Sequence, residues 1–406
     1  MTERPPLTRR SFLTAAAAAA LTPTLISTPA FAMREPYPFP VRPGTPEWAR
    51  LKTREARIRA TQLPDGMAAA MTTDDLVSTV LDYPLLSEAL AFNSVQRGFE
   101  TVAARFNGFS ELLRRRDAGP ALLSRYAALD VHVPTSADLL AAGTHVVDVW
   151  RLETLLAQPE VLGTLSAGET ASALRTAHQT YAVKQAEQAY GPAGLEPTAT
   201  LLGRALATRE GWTWNHLPLL SDGIAPTTAE ASAVVRAVEQ HFAEPGKTHR
   251  VRTPNTTMDH LSTVYTARGT PVTVSVHTIE LSAALIAKYN GEADFFYIDA
   301  TRETDATRTY NCHAYAWYST SPFGNVWMND PGDNTYWLDG TYRQWFSPET
   351  YRNSMRWSWV HGDHSGVEVD ATGVIVSKWG QWGRMRHAWH DSPYVDSVTY
   401  KYYRNQ

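Results

Sequence analysis

Tyr310-Asn311-Cys312-His313-Ala314-Tyr315-Ala316-Trp317-Tyr318 follows a polar stretch over residues 301–309 and holds the only cysteine of the 406-residue chain. A polar segment giving way to an alanine- and aromatic-rich run predicts a helix that begins at the thiol. Such a position matters chemically, because a helix N-terminus stabilises a thiolate and leaves backbone N–H groups free to bind an oxyanion. One thiol cannot close an internal disulfide or build a multi-cysteine metal cluster. Cys312 is therefore either a buried small hydrophobe or a nucleophile.

A nucleophilic cysteine needs a base. Downstream, Gly362-Asp363-His364-Ser365-Gly366-Val367 reads as a tight turn entering a strand, with His364 at the strand's first position. Residues 366–370 and 374–377 flank Ala371-Thr372-Gly373, which is a hairpin signal. The hairpin brings Ser377 and Lys378 to the neighbouring strand, where a polar side chain would fix the imidazole tautomer. His313 adjoins Cys312 on the expected helix, where consecutive side chains diverge. It suits a structural or substrate-contacting role, and Trp317, Trp327 and Trp337 are candidate substrate contacts nearby.

Outward from this region the chain changes character. Residues 72–211 are rich in Ala and Leu at three- and four-residue spacing, which predicts helices over 74–81, 110–115 and 121–129 and a longer pair over 136–156 and 167–190. Thr72-Thr73-Asp74-Asp75 supplies N-cap hydroxyls and first-turn acids, and Gly191-Pro192-Ala193-Gly194 reads as a break. No fixed repeat is present. Beyond position 309 lie nine of the 13 tryptophans and ten of the 18 tyrosines. Residues 272–277 and 395–403 alternate like strands and 281–290 suit a helix. The expected class is α+β, an N-terminal all-α domain (33–211), a connecting region (212–270) and an α+β domain with a small antiparallel sheet (271–406).

Thr8-Arg9-Arg10-Ser11-Phe12-Leu13 precedes an apolar run ending in Ala30-Phe31-Ala32. An arginine pair, a short apolar core and a small-x-small site predict a twin-arginine signal over residues 1–32 and an extracytoplasmic protein exported already folded. Pro23 and Pro29 interrupt the run, which is too short for a bilayer span. The formal charge of −4 gives no basic footprint for nucleic acid.

At Asn311-Cys312-His313 and His364-Ser365-Gly366 the sequence resembles the papain-like cell-wall cysteine hydrolases, the NlpC and CHAP groups of endopeptidases and amidases. The resemblance implies a papain-like C-terminal domain, a peptide or peptidoglycan-type substrate and no cofactor. By position, Cys312 would be the nucleophile, His364 the base and Ser377 the third residue, with Asn311 and the Cys312 N–H at the oxyanion. The family usually carries His, Asn, Asp, Gln or Glu where Ser377 stands. The chain also resembles a group of secreted bacterial proteins with Tyr-Asn-Cys-His-x-Tyr-Ala-Trp and Ser-Lys-Trp-Gly, a likeness that takes in Phe106-Asn107-Gly108 and supplies no activity.

Three other readings compete. His361, His364, His387 and His390 form two His-x-x-His pairs, but turn and strand spoil the helical geometry that a zinc site would use. The oxygen-rich stretch over 329–334 is better read as a turn than as a calcium loop. A secreted aromatic-rich protein that binds glycan or peptide without catalysis is the main alternative, and a transglutaminase-type transfer would need Asp391 or Asp396 beside the histidine.

Overall fold

The computed structural model describes residues 36–135, 137–214, 217–225, 227–251, 261–318, 325–329, 331–347, 354–359, 364–370, 372–394 and 399–404. The expected signal segment lies outside them. The architecture is mixed helix and antiparallel sheet.

Local chemistry accounts for most of the helices. Thr72 caps Thr73–Leu81 by accepting from the Asp75 N–H, with Asp74 and Asp75 in the first turn. Ser166 and Glu169 form a reciprocal capping box at the start of Ala167–Ala186. Gly191-Pro192, expected as a break, opens a second long helix, Gly191–Glu210. Proline costs a helix nothing at its first positions, where its missing N–H would have no partner anyway, so a Gly-Pro pair marks an entry as readily as an exit. The region 212–270 is not a plain connector, since it holds the helix Thr228–Ala243 and a strand.

The strands are β1 (Leu261–Tyr265), β2 (Pro271–Ser275), β3 (Thr301–Arg302), β4 (Tyr342–Gln344), β5 (Arg356–Trp359), β6 (His364–Glu368), β7 (Val374–Lys378), β8 (Arg384–Ala388) and β9 (Thr399–Arg404). β1 and β2 pair with each other, and the rest form an antiparallel sheet in the order β3-β8-β7-β6-β5-β9-β4. The expected hairpin is β6–β7, with Val367 opposite Val376 and Glu368 opposite Ile375.

Both faces of this sheet are covered. Trp357, Trp359, Ile375, Trp379 and Met385 join the same core as the helical half, whereas Val367, Val376 and Tyr402 pack with Ala314–Trp317 and with Val272 and Val274 of β2. Buried ion pairs tie the helical half to the C-terminal part, Arg57 to Asp391 at 3.1 Å and Arg308 to Glu196 at 2.7 Å. The turn after β7 is wedged onto the C-terminal end of the 3-10 helix Leu86–Ala91. The Gln381 N–H donates to the Leu90 carbonyl at 2.9 Å and the Tyr394 hydroxyl donates to the Ala91 carbonyl. Among the described residues no helix is long and apolar enough to cross a membrane.

Candidate active site around Cys312

Cys312 begins a helical turn that widens to π-helical geometry over Ala314–Tyr318. Asn311 is its cap. The Asn311 Oδ1 accepts from the Ala314 N–H at 3.1 Å and the Met328 N–H at 3.2 Å, while its Nδ2 donates to the Met328 carbonyl at 2.7 Å. That cap explains why an asparagine precedes the thiol. It also puts the amide to use as a strut, where the sequence suggested an oxyanion contact. So short a turn carries little macrodipole, so charge stabilisation at the sulfur has to come from side chains.

Two polar side chains lie near it. The Asn93 amide, from the loop before the helix Val95–Ala103, faces the sulfur with Nδ2 at 3.2 Å and Oδ1 at 3.6 Å. It can accept the S–H proton of a thiol or donate to a thiolate. Lys378, fully buried, donates to the carbonyls of Thr307 at 2.7 Å, Gly380 at 2.6 Å and Trp382 at 2.6 Å. Burial pushes its pKa down to about 7, opposed by the negative charges of Glu280 and of the Cys312 thiolate. With every ammonium proton on a carbonyl, the geometry favours the charged form of Lys378. Asn93 carries no sequence signal for this role, and Lys378 stands in the sequence beside Ser377 as a candidate to fix the imidazole tautomer, not as a neighbour of the thiol.

A comparison with known protein families, curated proteins and solved structures found no match.

The expected base, His364, and its neighbour Ser365 face opposite ways on β6. Ser365 turns toward the helical turn, where its Oγ sits 2.9 Å from His313 Nδ1 and accepts from Trp317 Nε1 at 2.9 Å. By strand alternation His364 faces the helical half. Its ring stacks on Tyr394 with centroids 3.4 Å apart and lies against Trp359 at 5.0 Å. Among the described residues neither ring nitrogen finds a hydrogen-bond partner, the thiol included. The path from sulfur to imidazole runs through Asn93, its neighbour Phe92, and Tyr394, whose ring is 5.1 Å from that of Phe92. Burial, reinforced by His387 and His313, holds the His364 pKa well below its usual 6.5.

Ser377 serves a different histidine. Its Oγ lies 2.7 Å from His387 Nε2 and accepts from Trp379 Nε1 at 2.9 Å. His387 Nδ1 meets the Ala388 carbonyl at 2.8 Å, so the neutral ring donates there and accepts from Ser377. Burial lowers the His387 pKa to about 4. Asp391, which a transglutaminase-type transfer would need beside the histidine, is held by Arg57. Asp396 and the loop residues His361 and Asp363 lie outside the described residues.

His313 is a clamp between layers, since the ring nitrogen that meets Ser365 also meets Asp333 Oδ2 at 3.2 Å. Asp333 is thereby a partner of His313 within a turn, where Gly332 N–H donates to the Asn329 carbonyl at 2.7 Å. Trp317 is core, packed on Trp337, Tyr342 and Tyr402. Trp327 is buried against His277 at 4.7 Å. Among the described residues no group of three His, Cys, Asp or Glu side chains could hold a metal ion.

The state of His364 gives a clean titration. Below about pH 6.5 the unfolded chain takes up a proton that the folded ring refuses, so stability is lost as pH falls. His364→Phe keeps the stacking and removes the proton. The variant's advantage over wild type in urea unfolding should grow by about 1.4 kcal/mol per pH unit on going below pH 6.5. A difference independent of pH would mean that His364 titrates alike in both states.

Proposed function

We propose that the protein is a cysteine-dependent amide hydrolase of papain-like arrangement, exported by the twin-arginine route and acting on peptide or peptidoglycan-type substrates. The observation that carries this reading is the cluster at the lone thiol, where Cys312 meets the Asn93 amide and lies in the field of the buried Lys378 ammonium. In support, the Cys312 turn packs on an antiparallel sheet whose strand β6 begins with a histidine, in the order expected for that class. The Cys312 thiol gives its proton to His364 as the sulfur attacks the amide carbonyl carbon, His364 passes that proton to the leaving nitrogen, and water then cleaves the thioester to the acid and returns the thiol.

At 1% exposure Cys312 is covered. Substrate reaches it only when the Phe92-Asn93 segment moves aside, and the same movement frees the path to His364. The test is release of new amino groups from a panel of acyl-peptides and cell-wall peptides. Cys312→Ala should lower the rate by at least about 100-fold. A variant with wild-type rates on every cleaved substrate would sink the mechanism.

The burial of the thiol favours a second reading, an aromatic-rich binding protein without catalysis. There, iodoacetamide would modify Cys312 only as fast as the protein opens globally, with no inflection below about pH 8.5. A transglutaminase-type transfer is less well supported, since Asp391 is occupied by Arg57.

A further inference from the structure

The cover over Cys312 and the base expected to serve it belong to one packed unit. Asn93 Nδ2 lies 3.2 Å from the sulfur, and the ring of the preceding Phe92 meets that of Tyr394 at 5.1 Å. The Tyr394 hydroxyl donates to the Ala91 carbonyl, so one side chain grips the cover at two successive residues. The same ring stacks on His364, with centroids 3.4 Å apart and planes 9° from parallel.

His364 is 1% exposed, and neither of its ring nitrogens finds a hydrogen-bond partner among the described residues. Nothing packed around it balances a positive charge. The titratable groups that act on it, His387 of β8 and His313 of the Cys312 turn, both oppose protonation. Trp359 of β5, at 5.0 Å, presents only another ring. Asp391, on the turn that carries Tyr394, is engaged by Arg57, and Glu368 of β6 by Trp357 Nε1 and Lys401. The packed unit therefore refuses a proton that the ring accepts at the ordinary histidine pKa of about 6.5 once water reaches it.

We propose that His364 is an acid-sensitive latch on the site: protonation drives its ring out from under Tyr394, and the Phe92-Asn93 segment lifts from Cys312. The open form binds the proton more tightly than the closed one. Opening thus becomes easier as pH falls below about 6.5, by up to about tenfold per unit, and is indifferent to pH above that value. As control of a hydrolase the latch rests on the function proposed for Cys312, whereas the opening is read at the sulfur with no substrate present.

The test is the rate at which dithiodipyridine modifies Cys312 in native buffer between about pH 7.5 and 4.5, divided by its rate with N-acetylcysteine at the same pH. For the wild type this ratio should rise about tenfold down to about pH 5.5 and about tenfold again to the acid end. In His364→Phe, which keeps an aromatic ring on Tyr394 and takes up no proton, it should stay level. Tyr394→Phe keeps the stack and loses the bond to Ala91, and should label at least about threefold faster at every pH with the wild-type slope. A wild-type ratio independent of pH overturns the latch, as does a rise that His364→Phe retains or a Tyr394→Phe protein that labels no faster. So does labelling that urea speeds as steeply as global unfolding, because the ring is then reached only when the whole protein opens. Hydrolysis is decided separately by Cys312→Ala, whose loss of cleavage would stand without the latch and whose full activity would refute the hydrolase while the latch held.

Discussion

Gly380→Ala is expected to destabilise the protein by about 3 kcal/mol or more and to expose Cys312 to alkylation. Gly380 has φ +46°, and a Cβ there would lie 2.4 Å from the Ala91 carbonyl carbon and 2.5 Å from the Phe92 oxygen. Both are backbone atoms, so no side chain can swing away to admit the methyl group. The turn after β7 must lift off residues 90–93, breaking the Gln381 N–H to Leu90 bond and the Tyr394 contact with Ala91. Asn93 moves with that segment and leaves the sulfur. Urea unfolding reads the first effect, and the rate of iodoacetamide labelling in native buffer, expected to rise at least about tenfold, reads the second. Wild-type stability with unchanged labelling would show that the turn does not hold the cover in place.

Lys378→Met is expected to cost about 3–5 kcal/mol. Methionine fills the space of the aliphatic stem but donates nothing, so the carbonyls of Thr307, Gly380 and Trp382 each lose a partner in a buried position. A buried carbonyl left unpaired costs about 1–3 kcal/mol, and neighbouring losses do not add fully. Urea unfolding reads the loss, and a midpoint equal to that of the wild type would show that the three carbonyls find other partners.

The two variants bear on one short motif, Ser377-Lys378-Trp379-Gly380, in which each residue has its own task. Ser377 orients His387, Lys378 sits near the thiol, Trp379 joins the large core, and Gly380 admits the backbone of the cover. The motif is visible in the sequence, where Ser377 and Lys378 both stand as candidates to fix the imidazole tautomer, whereas Trp379 and Gly380 carry no sign of their tasks. Nothing in the order of residues shows that a loop 219 positions upstream supplies the amide at the sulfur.

Chain chemistry alone settles the class of the fold. Caps such as Thr72 and Ser166 and the three- and four-residue spacing act within a few residues of one another, so the helices at 73–81, 139–156 and 167–186 were legible, as was the β6–β7 hairpin around Gly373. The lone cysteine at the head of a helical turn was legible for the same reason. Which way β6 faces was not. Every residue from His364 to Glu368 is buried, so no apolar–polar alternation marks an inner and an outer side. Only the packing of the helical half on one face and of the Cys312 turn on the other turns Ser365 toward His313 and His364 toward Tyr394, because long-range burial is a property of two surfaces meeting and not of either strand's sequence.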